Sequence, residues 1–157
     1  MIEPVELMRL AIKKAIEGID AGQSPFGCTI ARGDDVLAIS HNTVVATTDI
    51  TAHAEINALR LGCKTTGQIH LEGCIVATTC EPCPMCMAAL HWARVETVYF
   101  GASIADADAA GFNELQVPAA DVLKIGGSKV ALVGDVLSAE CRDLFKRWLE
   151  RSDRIVY

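Results

Sequence analysis

The sequence predicts an α/β fold in which a mixed sheet is covered by helices on both faces. Three observations carry this. Short β-rich runs alternate with helical patterns after an initial hairpin signal, an order that lays helices on the faces of a sheet. The run Cys74-Ile75-Val76-Ala77-Thr78-Thr79 has no charge and no polar alternation, as expected of a strand buried on both sides in a parallel-type setting. The chain of 157 residues is 51% hydrophobic and 22% charged, with no low-complexity block, which excludes intrinsic disorder and fits a single domain, residues 1–157. Area scaling leaves such a chain about 7,600 Å² of accessible surface, with roughly two thirds of the unfolded surface buried.

Each element has its own signal. Over residues 4–21, Val5, Met8, Ala11, Ile12, Ala15, Ile16 and Ile19 recur at helical spacing, and Gly22 stops the pattern. Residues 26–32 and 36–41 are β-rich, and Gly33-Asp34-Asp35 between them marks a hairpin. Residues 52–62 read as a helix ending near Gly62, and residues 71–79 as the buried strand. Pro84 suits the first turn of a helix that continues through Met87, Leu90 and Trp92 to Arg94. Residues 95–101 and 130–133 are further strands, and residues 137–149 an amphipathic helix. The stretch 102–127 is rich in Ala, Asp and Gly and reads as a long loop, a kind of segment that is often functional.

Composition excludes several roles. No apolar stretch approaches the ~18–20 residues that span a bilayer, so no membrane partner is expected. Met1-Ile2-Glu3-Pro4 has neither the basic nor the apolar region of a signal peptide, so a cytoplasmic location is expected. A formal charge of −6 disfavours a nucleic-acid backbone as partner and favours a small-molecule substrate. Arg142, Lys146, Arg147, Arg151 and Arg154 alternate with Glu140, Asp143, Glu150 and Asp153, the pattern of a solvated helix face. Seven cysteines are an odd number, and in a reducing compartment they do not form a disulfide framework. Cys28, Cys63, Cys74 and Cys141 stand among apolar neighbours as small buried hydrophobes, whereas Cys80, Cys83 and Cys86 cluster.

The chemistry concentrates where strands hand over to helices, at the edge of the sheet where ligands bind. His53-Ala54-Glu55 opens one helix, Cys83-Pro84-Met85-Cys86 the next, and Asn42 ends the hairpin. Cys83 and Cys86, three apart at a helix start, present both sulfurs to one side, and the helix N-terminus favours their thiolate forms. Two thiolates and one imidazole suit Zn²⁺, and three ligands leave the open fourth position of a catalytic site. Cys80 is the alternative fourth ligand of a structural site. A lone CxxC also fits a redox pair, but His53-x-Glu55 upstream and the flanking Pro82 and Pro84 favour the metal. Glu55, in the first helical turn, can stand beside the ion without ligating it and move a proton. His41, His70 and His91 show no partner spacing and read as ordinary polar or core residues.

His53-Ala54-Glu55 together with Pro82-Cys83-Pro84-Met85-Cys86 resembles the signature of the zinc-dependent nucleobase deaminases. The chain is similar to the cytidine/deoxycytidylate deaminase superfamily over essentially its whole length. The resemblance implies a cytidine deaminase-like fold, a three-layer α/β/α sandwich around a five-stranded mixed sheet. It implies one Zn²⁺ per subunit on His53, Cys83 and Cys86, with Glu55 as proton shuttle. Pro25-Phe26-Gly27, a hairpin and then His41-Asn42 look like the branch that contains guanine, cytosine and tRNA adenosine deaminases. That branch implies Asn42 as the group that binds the base's amide edge. Residues 106–114 are similar to a bacterial guanine deaminase loop, which implies Glu114, where Asp is usual, as a second proton carrier. The same likeness implies a homodimer that exchanges C-terminal segments, carrying Tyr157 to the partner's site. Phe26 and Trp92 are candidates to sandwich a flat base or, alternatively, core-filling residues, and a frayed chain end is the alternative reading of Tyr157. The expected activity is hydrolytic deamination of a free nucleobase, guanine favoured. The alternatives are cytosine, isocytosine or a nucleoside as substrate, tRNA adenosine deamination, and a non-catalytic zinc protein.

Overall fold

Asp34, with Gly33 in the left-handed region at φ +62°, reverses the chain between β1 (Gly27–Arg32) and β2 (Asp35–His41), which pair antiparallel. The computed structural model describes residues 1–157. β1 also pairs antiparallel with β3 (Ile75–Cys80), all six residues of which are buried. β3 runs parallel to β4 (Thr97–Ala102), and β4 parallel to β5 (Ala131–Val133). The result is one five-stranded mixed sheet in the order β2-β1-β3-β4-β5.

The helices are α1 (Pro4–Asp20), α2 (Val44–Thr47), α3 (Ala54–Thr66), α4 (Pro84–Trp92), α5 (Ile104–Ala109), α6 (Ala119–Gly126) and α7 (Ser138–Leu149). They form two layers because β3 is apolar on both faces. Ile75 and Ala77 join Leu7, Met8, Ala11 and Ala15 of α1 and Leu144, Phe145 and Trp148 of α7 in one core. Val76, one residue out of phase, joins Ala58 and Leu59 of α3, Met87 and Leu90 of α4 and Leu123 of α6 in the other. The folded chain leaves 7633 Å² accessible, in line with the area scaling for its mass. No helix is long and apolar enough to cross a membrane.

Five sequence expectations are corrected. The stretch 102–127 is not a loop, because it holds α5 and α6. Ser103 and Asp106 form a capping box that starts α5. α3 runs past Gly62, which is a packing residue whose added Cβ would come within 3.3 Å of Leu71 Cδ1. The stop is Gly67, left-handed at φ +68°. The buried stripe of α1 includes Leu7 and leaves Val5 exposed, and Cys63 is only partly buried. Finally, α7 ends at Leu149, so Arg151 lies beyond it and pairs with Asp153, while Arg147 reaches Asp20 of α1.

Candidate active site

The C-terminal ends of β2 and β3 and the N-terminal ends of α3 and α4 meet at one edge of the sheet. His53 is the N-cap of α3 and Cys83 the N-cap of α4, both in extended backbone conformation. Pro84 fixes the first turn of α4 and Cys86 follows within it. His53 Nδ1 lies 3.6 Å from Cys83 Sγ and 3.5 Å from Cys86 Sγ, and all three donor atoms fall within 4.8 Å of one another. In a tetrahedral zinc site with ordinary Zn–S and Zn–N bonds, a nitrogen and a sulfur stand about 3.6 Å apart. The donor set therefore fits zinc in both chemistry and spacing. Cys80 stays outside it. Its thiol donates to the Ser103 carbonyl at 3.5 Å, and burial pushes its pKa well up, so it remains a thiol. A hydrogen bond from Cys86 holds the Cys83 thiol down to about 4 against burial, while Cys86 keeps the proton between them and is pushed up.

Glu55 occupies the first turn of α3 and is 6% exposed. The Thr78 hydroxyl donates to its Oε1 at 3.2 Å from the buried strand β3. Burial, and then the neighbouring Cys83 charge, push its carboxyl above the usual range. The sequence position two after His53 thus delivers a buried carboxyl beside the ligand cluster.

Opposite these groups stands a second set. Asn42 is fully buried, receives the Val44 N–H on Oδ1 at 3.0 Å and donates from Nδ2 to the Tyr157 hydroxyl. Its own N–H donates to the Phe26 carbonyl at 3.1 Å, so the two ends of the hairpin are tied together. Phe26 packs edge-on against Phe112 at 5.0 Å and Phe145 at 5.7 Å. Tyr157 packs on Phe112 at 5.3 Å and approaches the His53 ring at 5.7 Å. Glu114 is partly buried, and burial followed by the Cys83 charge raises its carboxyl. Phe26, Asn42, Glu55, Glu114 and Tyr157 line an inner cavity of about 30 Å³ together with His53 and Cys83. An outer cavity of about 270 Å³, walled by Ile50, Pro84, Met85 and Leu115, shares His53, Cys83, Glu114 and Tyr157 with it.

The structure thus brings together His53, Glu55, Cys83, Cys86, Asn42, Phe26, Glu114 and Tyr157, and it does not bring Trp92. That residue ends α4, about 12 Å along the axis from Pro84 at the usual rise, and is 71% exposed. Tyr157 lines the cavity of its own chain and accepts from Asn42 Nδ2. His41 turns its Nδ1 to the Asn42 carbonyl at 2.8 Å and His91 to Ser128 Oγ at 2.8 Å, and neither enters the site.

Sequence reasoning missed three supporting residues. Thr78 is one. Asn57 is another: its Nδ2 donates to the His41 carbonyl at 3.0 Å and Thr43 Oγ1 at 2.9 Å, and lies 3.3 Å from the Ala52 carbonyl, tying the Asn42 loop to α3. Glu81, on the cavity wall, is the third. The only advance signal for Asn57 was a polar residue one turn after His53.

Comparison with known proteins follows the same lines. The family model of the cytidine and deoxycytidylate deaminase zinc-binding region matches residues 1–102. Guanine deaminase of Bacillus subtilis (strain 168) is 43% identical over 108 residues, 68% of this chain and 69% of that protein. A tRNA-specific adenosine deaminase of Agrobacterium fabrum is 37% identical over 102 residues, 65% and 67% of the two chains. The solved guanine deaminase of Nitrosomonas europaea is 24% identical and superposes with a TM-score of 0.88 over 96% of this chain and 87% of its own, a likeness of fold.

Proposed function

This chain belongs to the cytidine and deoxycytidylate deaminase family, and we propose from that premise that it hydrolyses a free amino-nucleobase, guanine favoured, to give xanthine and ammonia. That it is a deaminase, a zinc-binding hydrolase of a C–N bond, follows from the family and from the ligand set His53, Cys83 and Cys86. The observation that carries the choice of a guanine-like base is the fully buried Asn42 amide in the same cavity as Glu55 and Glu114. Beside its bonds to Val44 and Tyr157 the amide keeps one N–H and one lone pair in the same plane, the pattern that complements the N1–H/C6=O edge of guanine. The 43% identity to a guanine deaminase supports the same reading.

Bound by these three ligands, zinc supplies a Lewis acid that makes water nucleophilic at neutral pH. The rest is the work of the chain's own side chains. Asn42 holds the amide edge of the base, and the ring of Phe26 walls the cavity against bulk water. As water adds to the amine-bearing carbon, Glu55 takes its proton and passes it to the adjacent ring nitrogen. Glu55, assisted by Glu114, then moves the remaining proton of the added hydroxyl to the amine, so that the carbonyl forms as the C–N bond breaks and ammonia leaves. Raised carboxyl pKa values at both positions suit acids that must hold a proton part of the time.

The test is ammonia release by the zinc-loaded protein on guanine, isocytosine, cytosine, adenine, cytidine, guanosine and a tRNA anticodon stem-loop. Fast turnover of guanine with little on nucleosides is the expected result. Silence on guanine with turnover of a pyrimidine or nucleoside keeps the deaminase and removes the guanine assignment. The tRNA substrate is included because of the 37% identity to a tRNA-specific enzyme; the net charge of −6 counts against it.

A further inference from the structure

Glu81 lies between the end of β3 and the ligand Cys83, and no step of the proposed chemistry uses it. Its carboxylate has two partners of the same kind. Oε2 accepts from the Ile104 N–H at 3.0 Å and Oε1 from the Ala119 N–H at 2.9 Å. Ile104 is the first residue of α5 and Ala119 the first of α6, so one carboxylate caps two helices. Both donors sit in buried residues, Ile104 at 5% and Ala119 at 0% exposure, where water does not replace a lost acceptor. α6 has no side-chain cap of its own, since Pro118 precedes it. Negative charge is favoured at both helix starts. The Glu81 backbone is itself fixed, its N–H donating to the Ala102 carbonyl at 2.8 Å in continuation of the β3–β4 ladder.

Between the two capped helices runs the segment 110–118, which carries Phe112 and Glu114. Its backbone hydrogen bonds include two short-range ones, Glu114 N to Phe112 O at 2.9 Å and Val117 N to Leu115 O at 2.8 Å, and one long-range one, Asn113 N to Tyr157 O at 3.0 Å. The buried Phe112 and the Tyr157 carbonyl anchor its middle, and its two ends are set by where α5 and α6 begin and end. Glu81 and Glu114 also line the same inner cavity. We propose that Glu81 is a positioning residue that clamps α5 and α6 together, so that segment 110–118 presents Glu114 to the substrate opposite Glu55. The inference rests on the reading of Glu114 as a proton carrier for a nucleobase.

The experiment combines Glu81→Gln, Glu114→Gln and the double variant, each loaded with zinc. Glutamine keeps the shape of the side chain but turns one acceptor into a donor that faces an N–H. Zinc content is expected to stay at one per chain. Amide hydrogen exchange across residues 104–106 and 110–121 is expected to accelerate by about tenfold or more, while α3 and α4 keep their protection. Turnover of the best base in the panel should fall by about 10²-fold, with KM changed less than about threefold. The double variant should be no slower than Glu114→Gln alone, because misplacing an absent carboxylate has no further effect. Losses that multiply in the double variant, zinc loss in Glu81→Gln, or unchanged exchange in 110–121 would each overturn the proposal. If Glu81→Gln does not fold, Ala119→Pro deletes the α6 donor at a first-turn position that accepts proline, and the same exchange pattern around α6 is expected. A wild-type chain that turns over no base removes the proposed function, and the exchange measurement then decides separately whether Glu81 holds the segment.

Discussion

The two halves of the site are built differently. His53, Glu55, Cys83 and Cys86 come from the first turns of α3 and α4, each placed by the backbone of a helix start. Phe26, Asn42, Glu114 and Tyr157 come from four separate stretches and meet only through tertiary contacts such as Asn42–Tyr157, Phe26–Phe112 and Asn113 N–Tyr157 O. Local geometry makes the metal half hard to vary, because a shift of either helix start breaks the donor spacing. Long-range assembly leaves the base half free to change residue by residue. That division suits a family whose members include proteins named for guanine and for tRNA adenosine.

The comparison breaks most sharply at the ligands. Cys83→Ala or Cys86→Ala leaves two donors, and the expected outcome is loss of zinc by metal analysis and turnover below detection. Stoichiometric metal in either variant would mean a different ligand set, with Cys80 the nearest unused thiol in the cavity wall. Glu55→Gln cuts next deepest, because it removes the proton carrier and spares the metal. The amide still accepts from Thr78, and a neutral group suits a site where burial already disfavours charge. Zinc content and melting temperature should hold while kcat falls by about 10² to 10⁴. Near-normal turnover would end the role assigned to Glu55.

Why one half was legible in the sequence and the other only through resemblance follows from the same contrast. A three-residue spacing at a proline-marked helix start fixes where two sulfurs point, so Cys83 and Cys86 could be read from the chain alone. The sheet was legible for a similar reason, since β3 is an uncharged run and the hairpin has its own turn residues. Nothing local says that Asn42 meets Tyr157 across the chain, or that Thr78 and Asn57 hold Glu55 and the Asn42 loop in place. Helix α5 was missed because its six Ala- and Asp-rich residues are held by a capping box, and α6 because its apolar stripe is only eight residues long and the carboxylate that caps it, Glu81, is distant in sequence.

Within the base half, Tyr157→Phe sharpens the comparison. It keeps the ring against Phe112 and removes only the hydroxyl that Asn42 donates to. A buried amide that loses its partner costs about 1–3 kcal/mol, so kcat/KM for the base should drop about tenfold with zinc content unchanged. A drop in zinc content would instead tie Tyr157, through its contact with the His53 ring, to the metal half.

The smallest effect belongs to Trp92, and it tests where the site stops. A tryptophan in a deaminase sequence invites the role of a stacking wall, but α4 points its N-terminus at the cavity and carries Trp92 at the far end. There the side chain is 71% exposed, and neither cavity includes it. Trp92→Ser should leave kcat/KM within about twofold and zinc content unchanged, as for surface substitutions generally. A loss of tenfold or more, measured on the monomeric and any associated form separated by size, would place Trp92 against a site supplied by another chain. The base half would then extend beyond the residues that one chain folds together.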